Sequence, residues 1–442
     1  MSLLIDLLGP RGAFEGGLFL PDYKAITARR PIEDIKPLIP LQVPLTIRRD
    51  LETTPDVAVG DRVLRGRRLS RSVGFDSIGV HAPCSGKVVK FQRVWTATDG
   101  YLPGLVLQPD PTQQAVPQRQ GWEDESFIVQ LAECGVVCAC PPAPLHVLVR
   151  DAIAAGATDL IINAMETEPY LTADLRTCVE QPGRMIDVTC ELADAVGVSR
   201  VIFALPFRHR RMVKRILSEA EGRHIEIAPL ANPYPQCHPV ILTKVLLDRE
   251  VPPGGHVLDV RACVLPLAAV RQAADALLDD RPVTHTVMTV AGDAVECPGT
   301  YRVPIGMPMR HLARSVGLRT PVARAVCGGP LTGRPLGHED AVVTARTQAL
   351  LLFSTADRIE PVPCVHCGWC VEDCPVGLDP TEMMNLESRA ECAPIEFSRL
   401  QACVDCGLCS HVCPSQLPLA ETVERTRRRF EFRQYSPETS VA

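Results

Sequence analysis

Two short cysteine runs near the carboxyl end constrain the fold of this chain more than any other feature. Each run has spacings of two, two and three residues and a proline after its last cysteine: Cys364, Cys367, Cys370 and Cys374, then Cys403, Cys406, Cys409 and Cys413. This spacing is typical of [4Fe–4S] ligation, because soft thiolates on one tight loop can bind several irons of a cube. The sequence therefore predicts a ferredoxin-type domain at this end.

The fourth cysteine of each run is predicted to bind the cluster of the other run, as in two-cluster ferredoxins. The first cluster is assigned to Cys364, Cys367, Cys370 and Cys413, and the second to Cys403, Cys406, Cys409 and Cys374. A pair of zinc sites is the alternative, but zinc motifs usually separate two cysteine pairs by a longer loop. We expect two [4Fe–4S] clusters that carry single electrons.

Composition excludes several other classes of protein. The chain has 19 cysteines, an odd number, and its amino end lacks the basic start of a secretory signal, so a disulfide framework is not expected. A net charge of −6 argues against nucleic acid as a partner. No run approaches eighteen apolar residues, so no membrane span is expected either.

Upstream of the cysteine runs, the hydrophobic pattern changes twice. Residues 40–110 alternate apolar and polar positions around glycine turns, which predicts a β-domain of the lipoyl or biotinyl sandwich type, or another small β-domain. Residues 121–255 alternate strand and helix patterns, which predicts a parallel α/β sheet. Residues 283–335 return to β-rich sequence. The predicted fold class is multidomain α+β.

Individual elements can also be predicted in the α/β region and the tail. Strands are predicted at 159–164, 201–205 and 225–228. Between the first two strands, apolar residues recur at helical spacing from Thr172, a potential amino-terminal cap, to Val196. A charged helix at 421–432 ends in an arginine-rich run, which is most often a solvated helix face.

The order of these regions and several short motifs resemble the RnfC subunits of Rnf electron-transport complexes. That family is related in its middle part to the flavin-carrying NADH-binding subunit of respiratory complex I. The similar motifs are Phe14-Glu15-Gly16-Gly17 with Pro21 and Lys24, and the segments 59–66, 81–86, 162–170 and 327–333. Each motif is weak alone, but their order, together with the doubled cysteine run, is specific and extends nearly from end to end.

The resemblance implies four domains and a flavin site. The domains are a barrel-sandwich with its linker (1–120), a Rossmann-like α/β flavin-site domain (121–255), a β-grasp-like domain (256–345) and a helical two-cluster ferredoxin domain (346–442). Asn163, Glu166 and Glu168 match the family's flavin site. An Asn and two Glu after a strand are, however, often only a solvated turn.

The resemblance also implies a function and a location. In the family, NADH reduces FMN, and single electrons then pass through the clusters to membrane partners. This chain is expected to be such an iron–sulfur subunit, cytoplasmic and peripheral on the cytoplasmic face of the inner membrane. Its expected partners are other subunits of a membrane redox complex, or a soluble electron donor or acceptor protein.

One loop departs from the family pattern. Where a glycine-rich phosphate loop should follow the strand-like segment 131–137, the chain reads Gly135-Val136-Val137-Cys138-Ala139-Cys140-Pro141-Pro142-Ala143-Pro144, and a second glycine pair is replaced by Gln236-Cys237-His238. Glycines let backbone N–H groups approach a phosphate, whereas proline has no N–H. We therefore predict little bound FMN and no reduction by NADH.

Three hypotheses follow, and the cysteines of the altered loop add a fourth question. The chain is an Rnf-type electron-entry subunit, an electron-transfer adaptor of the same fold fed by another redox protein, or a scaffold whose clusters are structural. Two interpretations are open for the cysteines of the altered loop, Cys134, Cys138 and Cys140. They could form a third metal site or a thiol relay, which His146 and His238 could complete, or they could be small buried hydrophobic residues. The last interpretation is favoured because free cysteine is commonly buried.

Overall fold

A computed structural model describes residues 14–117, 126–337, 341–356 and 360–435. The chain divides into two compact units. The larger, here called the sheet unit, comprises 22–230 and 261–356, and the smaller, the cysteine-rich unit, comprises 1–21, 231–260 and 357–442.

The strands and helices lie along the chain as follows. The strands are β1 (Ile32–Asp34), β2 (Leu41–Pro44), β3 (Thr53–Pro55), β4 (Arg62–Val63), β5 (Ser70–Ser72), β6 (Gly86–Thr96), β7 (Gly100–Pro109), β8 (Val137–Cys138), β9 (Ala143–Pro144), β10 (Asp159–Asn163), β11 (Arg200–Pro206), β12 (Glu226–Leu230), β13 (Ala262–Pro266), β14 (His285–Ala291), β15 (Gly299–Pro304), β16 (Arg324–Cys327), β17 (Arg334–Pro335) and β18 (Ala349–Phe353). The α-helices are Phe127–Glu133, Leu145–Ala154, Ala173–Glu180, Pro182–Val196, Arg210–Glu219, Pro239–Leu247, Leu267–Asp279, Met309–Ser315, Trp369–Glu372, Pro380–Asn385, Pro394–Ala402, Leu408–His411 and Leu419–Tyr435.

The predicted amino-terminal β-domain is confirmed as a four-stranded antiparallel sheet in the order β2-β7-β6-β4. The long hairpin of β6 and β7 forms its centre, and Val88 and Leu105 from these strands are fully buried. Gly86 begins β6 where a Cβ atom would lie 2.2 Å from the carbonyl oxygen of Gln108. Only glycine fits at that close approach.

The predicted parallel α/β sheet is also confirmed, with the order β12-β11-β10-β13. The three predicted strands correspond to β10, β11 and β12, and β13 is a fourth that was not predicted. Ile161 and Phe203 are fully buried at the centre of this sheet. Successive residues of β10 and β11 are buried, so both faces of these strands are covered, which explains why they are continuous apolar runs rather than alternating ones.

The helix predicted from Thr172 to Val196 is two helices, Ala173–Glu180 and Pro182–Val196, because Pro182 begins a new first turn. The predicted Thr172 cap is wrong. The Thr172 hydroxyl lies 3.0 Å from the Thr300 hydroxyl, and the carboxylate of Glu166 accepts hydrogen bonds from the first helical N–H groups instead. A carboxylate suits this position because it lies at the positive end of the helix dipole.

The second β-rich region forms a six-stranded mixed sheet in the order β1-β15-β14-β18-β16-β17. Its strands β14 to β17 lie within the region predicted to be β-rich, whereas β1 and β18 come from outside it. The edge strand β1 pairs in parallel with β15, from more than two hundred residues further along the chain. Such long-range pairing leaves no local sequence signal.

The cysteine-rich unit has a small helical core of its own. Side chains from the helices Pro380–Asn385, Pro394–Ala402 and Leu419–Tyr435 pack together, namely Met383, Phe397, Leu400, Val423 and Phe430 with Leu386. The carboxyl-terminal helix was predicted, with slightly different bounds. Within the described part of the chain, no helix is both long enough and apolar enough to cross a bilayer.

Candidate metal and flavin sites

The two cysteine runs follow the same backbone course. Left-handed backbone conformations occur at matching positions of the two runs: His366 and Asp405, Gly368 and Gly407, and Gly377 and Gln416. Three of these six residues are not glycine, and such residues rarely adopt positive φ angles. Their recurrence at matching positions shows that both loops have the same unusual backbone shape. The sequence repeat is therefore a structural repeat.

Short helices complete each copy of the repeat. The single turns Trp369–Glu372 and Leu408–His411 each begin after a left-handed glycine. The helices Pro380–Asn385 and Leu419–Tyr435 begin at matching positions beyond the Cys-Pro pairs. Each copy thus places three cysteines on one loop and turn, and delivers the fourth just before the next helix.

The structure brings Cys374 to the second run. A small cavity is bordered by all four cysteines assigned to the second cluster: Cys374, Cys403, Cys406 and Cys409. Burial raises the pKa of the Cys406 thiol to about 11, and the neighbouring Cys374 thiol adds to this rise. Cys374 therefore lies beside cysteines of the other run.

The reciprocal arrangement holds for the first run. Burial raises the pKa of Cys370, and the neighbouring Cys367 and Cys413 thiols add to that rise. Cys413, the last cysteine of the second run, is thus close to the first. In two-cluster ferredoxins the fourth cysteine of each run binds the cluster of the other run, and this ligand assignment stays a prediction for the present chain.

Backbone N–H groups point at several cysteine sulfurs. The N–H of Leu378 lies 3.3 Å from Cys374 Sγ, and that of Leu417 lies 3.5 Å from Cys413 Sγ, at matching positions. The N–H of His366 lies 3.4 Å from Cys364 Sγ. Such hydrogen bonds stabilise the negative charge on thiolate sulfurs and tune the potentials of iron–sulfur clusters.

Among the described residues, no group of three or more His, Cys, Asp or Glu side chains is arranged to hold a metal ion. The eight thiols therefore do not form a site for a single metal ion. A four-iron cluster is a larger object than an ion, and each of its ligand sulfurs binds a different iron. The lack of a site for a single ion therefore does not argue against a cluster at these thiols.

The second run is held by two segments from elsewhere in the sequence. Leu18 pairs with Tyr234 through reciprocal backbone hydrogen bonds of 3.0 and 2.7 Å. The buried Tyr234 donates its hydroxyl proton to the carbonyl oxygen of Cys406 at 2.5 Å. We call the pair of segments formed by Gly16–Leu18 and Tyr234 the brace.

The glycines of the brace contact the fourth cysteine of the first run. The N–H of Gly17 donates to the carbonyl oxygen of Asp373 at 3.0 Å. A Cβ atom on Gly16 would lie 2.6 Å from the carbonyl oxygen of Cys374, so this approach requires glycine. The brace thus touches Cys374 and Cys406, which are assigned to the same cluster. The Gly-Gly pair in the sequence was the one signal of such a close approach.

Arg427 supports the same loop from the carboxyl-terminal helix. Its guanidinium donates to the carbonyl oxygen of Cys403 at 3.1 Å and to the carboxylate of Asp405 at 2.5 Å, and its side chain is 15% exposed. Arg429 in the same run binds backbone carbonyls, including that of Leu386. The prediction that this arginine run is a solvated face is wrong for these two residues.

The candidate flavin residues lie at the carboxyl end of β10, where ligands bind in open α/β sheets. The Oδ1 atom of Asn163 accepts a hydrogen bond from the N–H of Met165 at 3.1 Å. The carboxylate of Glu166 accepts from the N–H of Asp174 at 3.1 Å and lies 3.8 Å from the buried Lys24 ammonium. Burial lowers the pKa of Lys24, and the charge of Glu166 opposes that change.

Glu168 binds a different loop. Its carboxylate accepts hydrogen bonds from the N–H of Leu331 at 3.2 Å and from the N–H and hydroxyl of Thr332 at 3.0 and 2.6 Å. Burial raises its pKa, and these hydrogen bonds oppose the rise. Glu166 and Glu168 therefore each have internal partners. Their assignment to a flavin site stays a prediction.

The altered loop is a tight hairpin. Strands β8 and β9 pair Val137 with Pro144 and Cys138 with Ala143. The segment 131–137 was predicted to be strand-like, but its first three residues end the helix Phe127–Glu133, a turn follows, and only Val137 lies in a strand, so that expectation is wrong. The loop thus reverses directly onto itself, with three of its residues being prolines that have no N–H to offer.

The cysteines and histidines near this hairpin do not form a metal site among the described residues. Cys134 and Cys138 are buried, and burial raises the pKa of Cys138. His146 Nε2 lies 2.7 Å from the carbonyl oxygen of Phe75, and His238 Nδ1 accepts from the N–H of Val240 at the start of a helix. Cys134, Cys138 and His146 are packed core residues. Cys140 is exposed, so the interpretation of all three cysteines as buried hydrophobes is wrong for Cys140.

Two family models match the regions just described. Residues 12–112 match the RnfC barrel sandwich hybrid domain, and residues 143–274 match the Nuo51 FMN-binding domain. The second match begins at the end of the altered hairpin. These matches define the class of protein: a multidomain α+β protein with one domain similar to the RnfC barrel sandwich and an α/β domain similar to the Nuo51 FMN-binding domain.

Curated relatives narrow this class. The chain is 30% identical over 387 residues to the C subunit of the ion-translocating oxidoreductase complex of Salmonella enteritidis, covering 84% of this chain and 54% of the relative. It is 30% identical over 390 residues to the protein of the same name from Klebsiella pneumoniae, covering 84% and 51%. The resemblance to RnfC subunits predicted from the sequence is confirmed. The chain spans about half the length of these relatives.

Solved structures of NAD⁺-reducing [NiFe]-hydrogenase are also similar to this chain. The H₂-reduced form is 16% identical with a TM-score of 0.47, covering 70% of this chain and 61% of the other. The air-oxidized form is 17% identical with a TM-score of 0.44, covering 62% and 52%.

Proposed function

We propose that this chain is an electron-transfer iron–sulfur subunit of an Rnf-type, membrane-associated redox complex, with two [4Fe–4S] clusters. The observation that carries the proposal is that the fourth cysteine of each run lies beside cysteines of the other run. Cys374 borders one cavity with Cys403, Cys406 and Cys409, and Cys413 neighbours Cys370. An RnfC-like sequence supplies the context of a membrane complex.

The chemistry that such clusters supply is one-electron transfer at potentials set by their surroundings. The first would be held by Cys364, Cys367, Cys370 and Cys413, and the second by Cys403, Cys406, Cys409 and Cys374. The chain's own contribution is to fix these thiols and to direct N–H groups at them. Peripheral association with the cytoplasmic face of the membrane, through other subunits, is part of the proposal.

FMN does not fit the altered loop. A flavin phosphate needs several backbone N–H groups that converge on it. The hairpin from Cys138 to Pro144 lacks three of them, and the carboxylates of Glu166 and Glu168 are bound within the protein. Losing even two charge-assisted hydrogen bonds, at about 1.5–3 kcal/mol each, would weaken binding roughly a hundredfold or more. An FMN-type fold with this loop favours the second candidate, an adaptor fed by another redox protein.

Anaerobic purification followed by iron, sulfide and flavin analysis tests both parts. We expect about eight irons per chain, four for each cluster, little FMN after acid release, and reduction by dithionite but not by NADH. Near one FMN per chain with reduction by NADH would restore the electron-entry role. Iron that no physiological-range reductant reduces would favour a structural role for the clusters.

A further inference from the structure

The loop of the first cysteine run exposes large apolar side chains. Val362, Val365, Trp369 and Val371 are 52%, 64%, 52% and 39% exposed, and Cys367 among them is exposed as well. We call these five residues the Trp369 face. Several exposed apolar side chains within ten residues of one loop indicate an interaction site more strongly than a single exposed residue does.

The cysteine loop itself does not require this exposure. In the second run, which has the same backbone course, Leu408 takes the place of Trp369 and is 1% exposed. Ser410 takes the place of Val371, and Gln401 that of Val362. A cluster-binding loop of this shape can therefore be built without an exposed tryptophan. The Trp369 face needs a separate explanation.

Acidic residues adjoin the Trp369 face. Glu360 and Glu372 are exposed, and Asp373 follows directly. Among the residues that the structure describes, none of the three makes an ion pair. At the places of Glu372 and Asp373, the second run has His411 and Val412. The first run thus combines an exposed cysteine, an apolar centre and uncompensated negative charge.

We propose that the Trp369 face is the docking surface for a one-electron carrier protein whose exposed cofactor edge is ringed by basic residues. The proposal deepens the proposed function and rests on it. Tryptophan is a frequent anchor of interfaces, and opposite charges on the two rims accelerate association. Exposed Cys367 gives the carrier its closest approach to the first cluster. The protein loses one electron and the carrier gains it, and no bond forms or breaks.

Ferricytochrome c is a suitable probe, since it is a small basic protein with an exposed haem edge. Holoprotein reduced by dithionite and freed of excess reductant is mixed with it in a stopped-flow instrument. Trp369→Ala should lower the second-order rate constant about tenfold or more. The matched control is Ile395→Ala, which removes a 65% exposed apolar side chain from the helix Pro394–Ala402 and should change the rate less than about twofold.

Two further measurements keep the test decisive. Glu372→Lys should slow the reaction with cytochrome c and flatten its dependence on ionic strength. Oxidation by a small neutral quinone, which needs no docking, should be the same in all variants. Equal cytochrome c rates for Trp369→Ala and the parent protein, or equal slowing with the quinone, would overturn the proposal. If Trp369→Ala loses iron, Glu372→Lys decides alone, and an unchanged rate refutes it. Parent protein without iron would instead defeat the proposed function before any kinetics.

Discussion

The two cysteine runs share their spacing and their backbone course, yet their surroundings differ. The first run ends its loop with an exposed Trp369, whereas the second has a buried Leu408 at that position. Tyr234 and Arg427 bind backbone carbonyls of the second loop. A ligand motif therefore specifies which thiols come together, while distant segments determine how exposed each site is to solvent.

The surroundings of the second run act on a bound cluster in opposite directions. Burial disfavours the more negative, reduced form of a cluster, whereas hydrogen-bond donors and a nearby guanidinium favour it. Burial is strong here, since it raises the pKa of Cys403 to about 12. Because burial and hydrogen bonding shift the potential of a cluster in opposite directions, they predict no clear difference in potential between the two sites. The clearest difference is how accessible each site is to partner proteins.

Loss of a whole cluster is the largest expected effect. Serine at Cys367 or Cys406 replaces a soft thiolate by a harder, poorer ligand, so each variant should lose about half of the iron. Iron and sulfide analysis of the pure proteins measures this. The EPR signals that survive in the two variants should differ, because different clusters remain. Unchanged iron in either variant would defeat the ligand assignment.

Cross-ligation gives the next largest effect. Cys413→Ala should perturb the EPR signal of the cluster held by Cys364, Cys367 and Cys370, because Cys413 neighbours Cys370. Cys392→Ala is the matched control, since this cysteine packs against the helical core of the same unit and belongs to neither run. If Cys413→Ala changes only the signal of the Cys403 cluster, the exchange of fourth cysteines is wrong.

Much of the architecture followed from local sequence. Continuous apolar runs predicted β10 and β11, and alternation predicted a β-domain over residues 40–110, because burial on two faces or on one leaves those patterns. Contacts between distant segments left no such pattern. The Glu166 cap, the pairing of Leu18 with Tyr234 and the addition of β1 to the six-stranded sheet are of this kind.

The candidate cluster site divides in the same way. Spacing alone indicated the eight thiols, because a tight loop brings three cysteines together locally, whereas their grouping was predicted from the pattern of two-cluster ferredoxins. The role of Arg427 was missed, since a charged helix is usually solvated and only the fold brings it to Cys403. The exposure of Trp369 likewise depends on the packing of other segments in the fold, which the local sequence does not indicate.

Unequal access should be measurable in variants that each keep one cluster. Cys406→Ser retains the first cluster and Cys367→Ser the second. A neutral gadolinium chelate should accelerate the electron-spin relaxation of the first cluster more than that of the second, because Cys367 is exposed whereas Cys406, at the matching position of the second loop, is only partly exposed. EPR power saturation with and without the chelate measures this. Equal acceleration of spin relaxation in both variants would show that the two clusters are equally accessible to solvent, contrary to this prediction.

The hydroxyl of Tyr234 should produce the smallest effect. In Tyr234→Phe, the Cys406 carbonyl loses a donor worth about 0.5–1.5 kcal/mol, so the reduced state of the second cluster loses part of its stabilisation. Its potential should fall by about 60 mV at most, at about 1.4 kcal/mol and 59 mV per tenfold change for one electron. Tyr301→Phe is the matched control, because this tyrosine donates to the carbonyl of Cys297, in the sheet unit, at 2.6 Å. Redox titration followed by EPR should show a shift of the second cluster alone, and only in Tyr234→Phe. A shift of both clusters, or an equal shift in Tyr301→Phe, would contradict a brace specific to the second site.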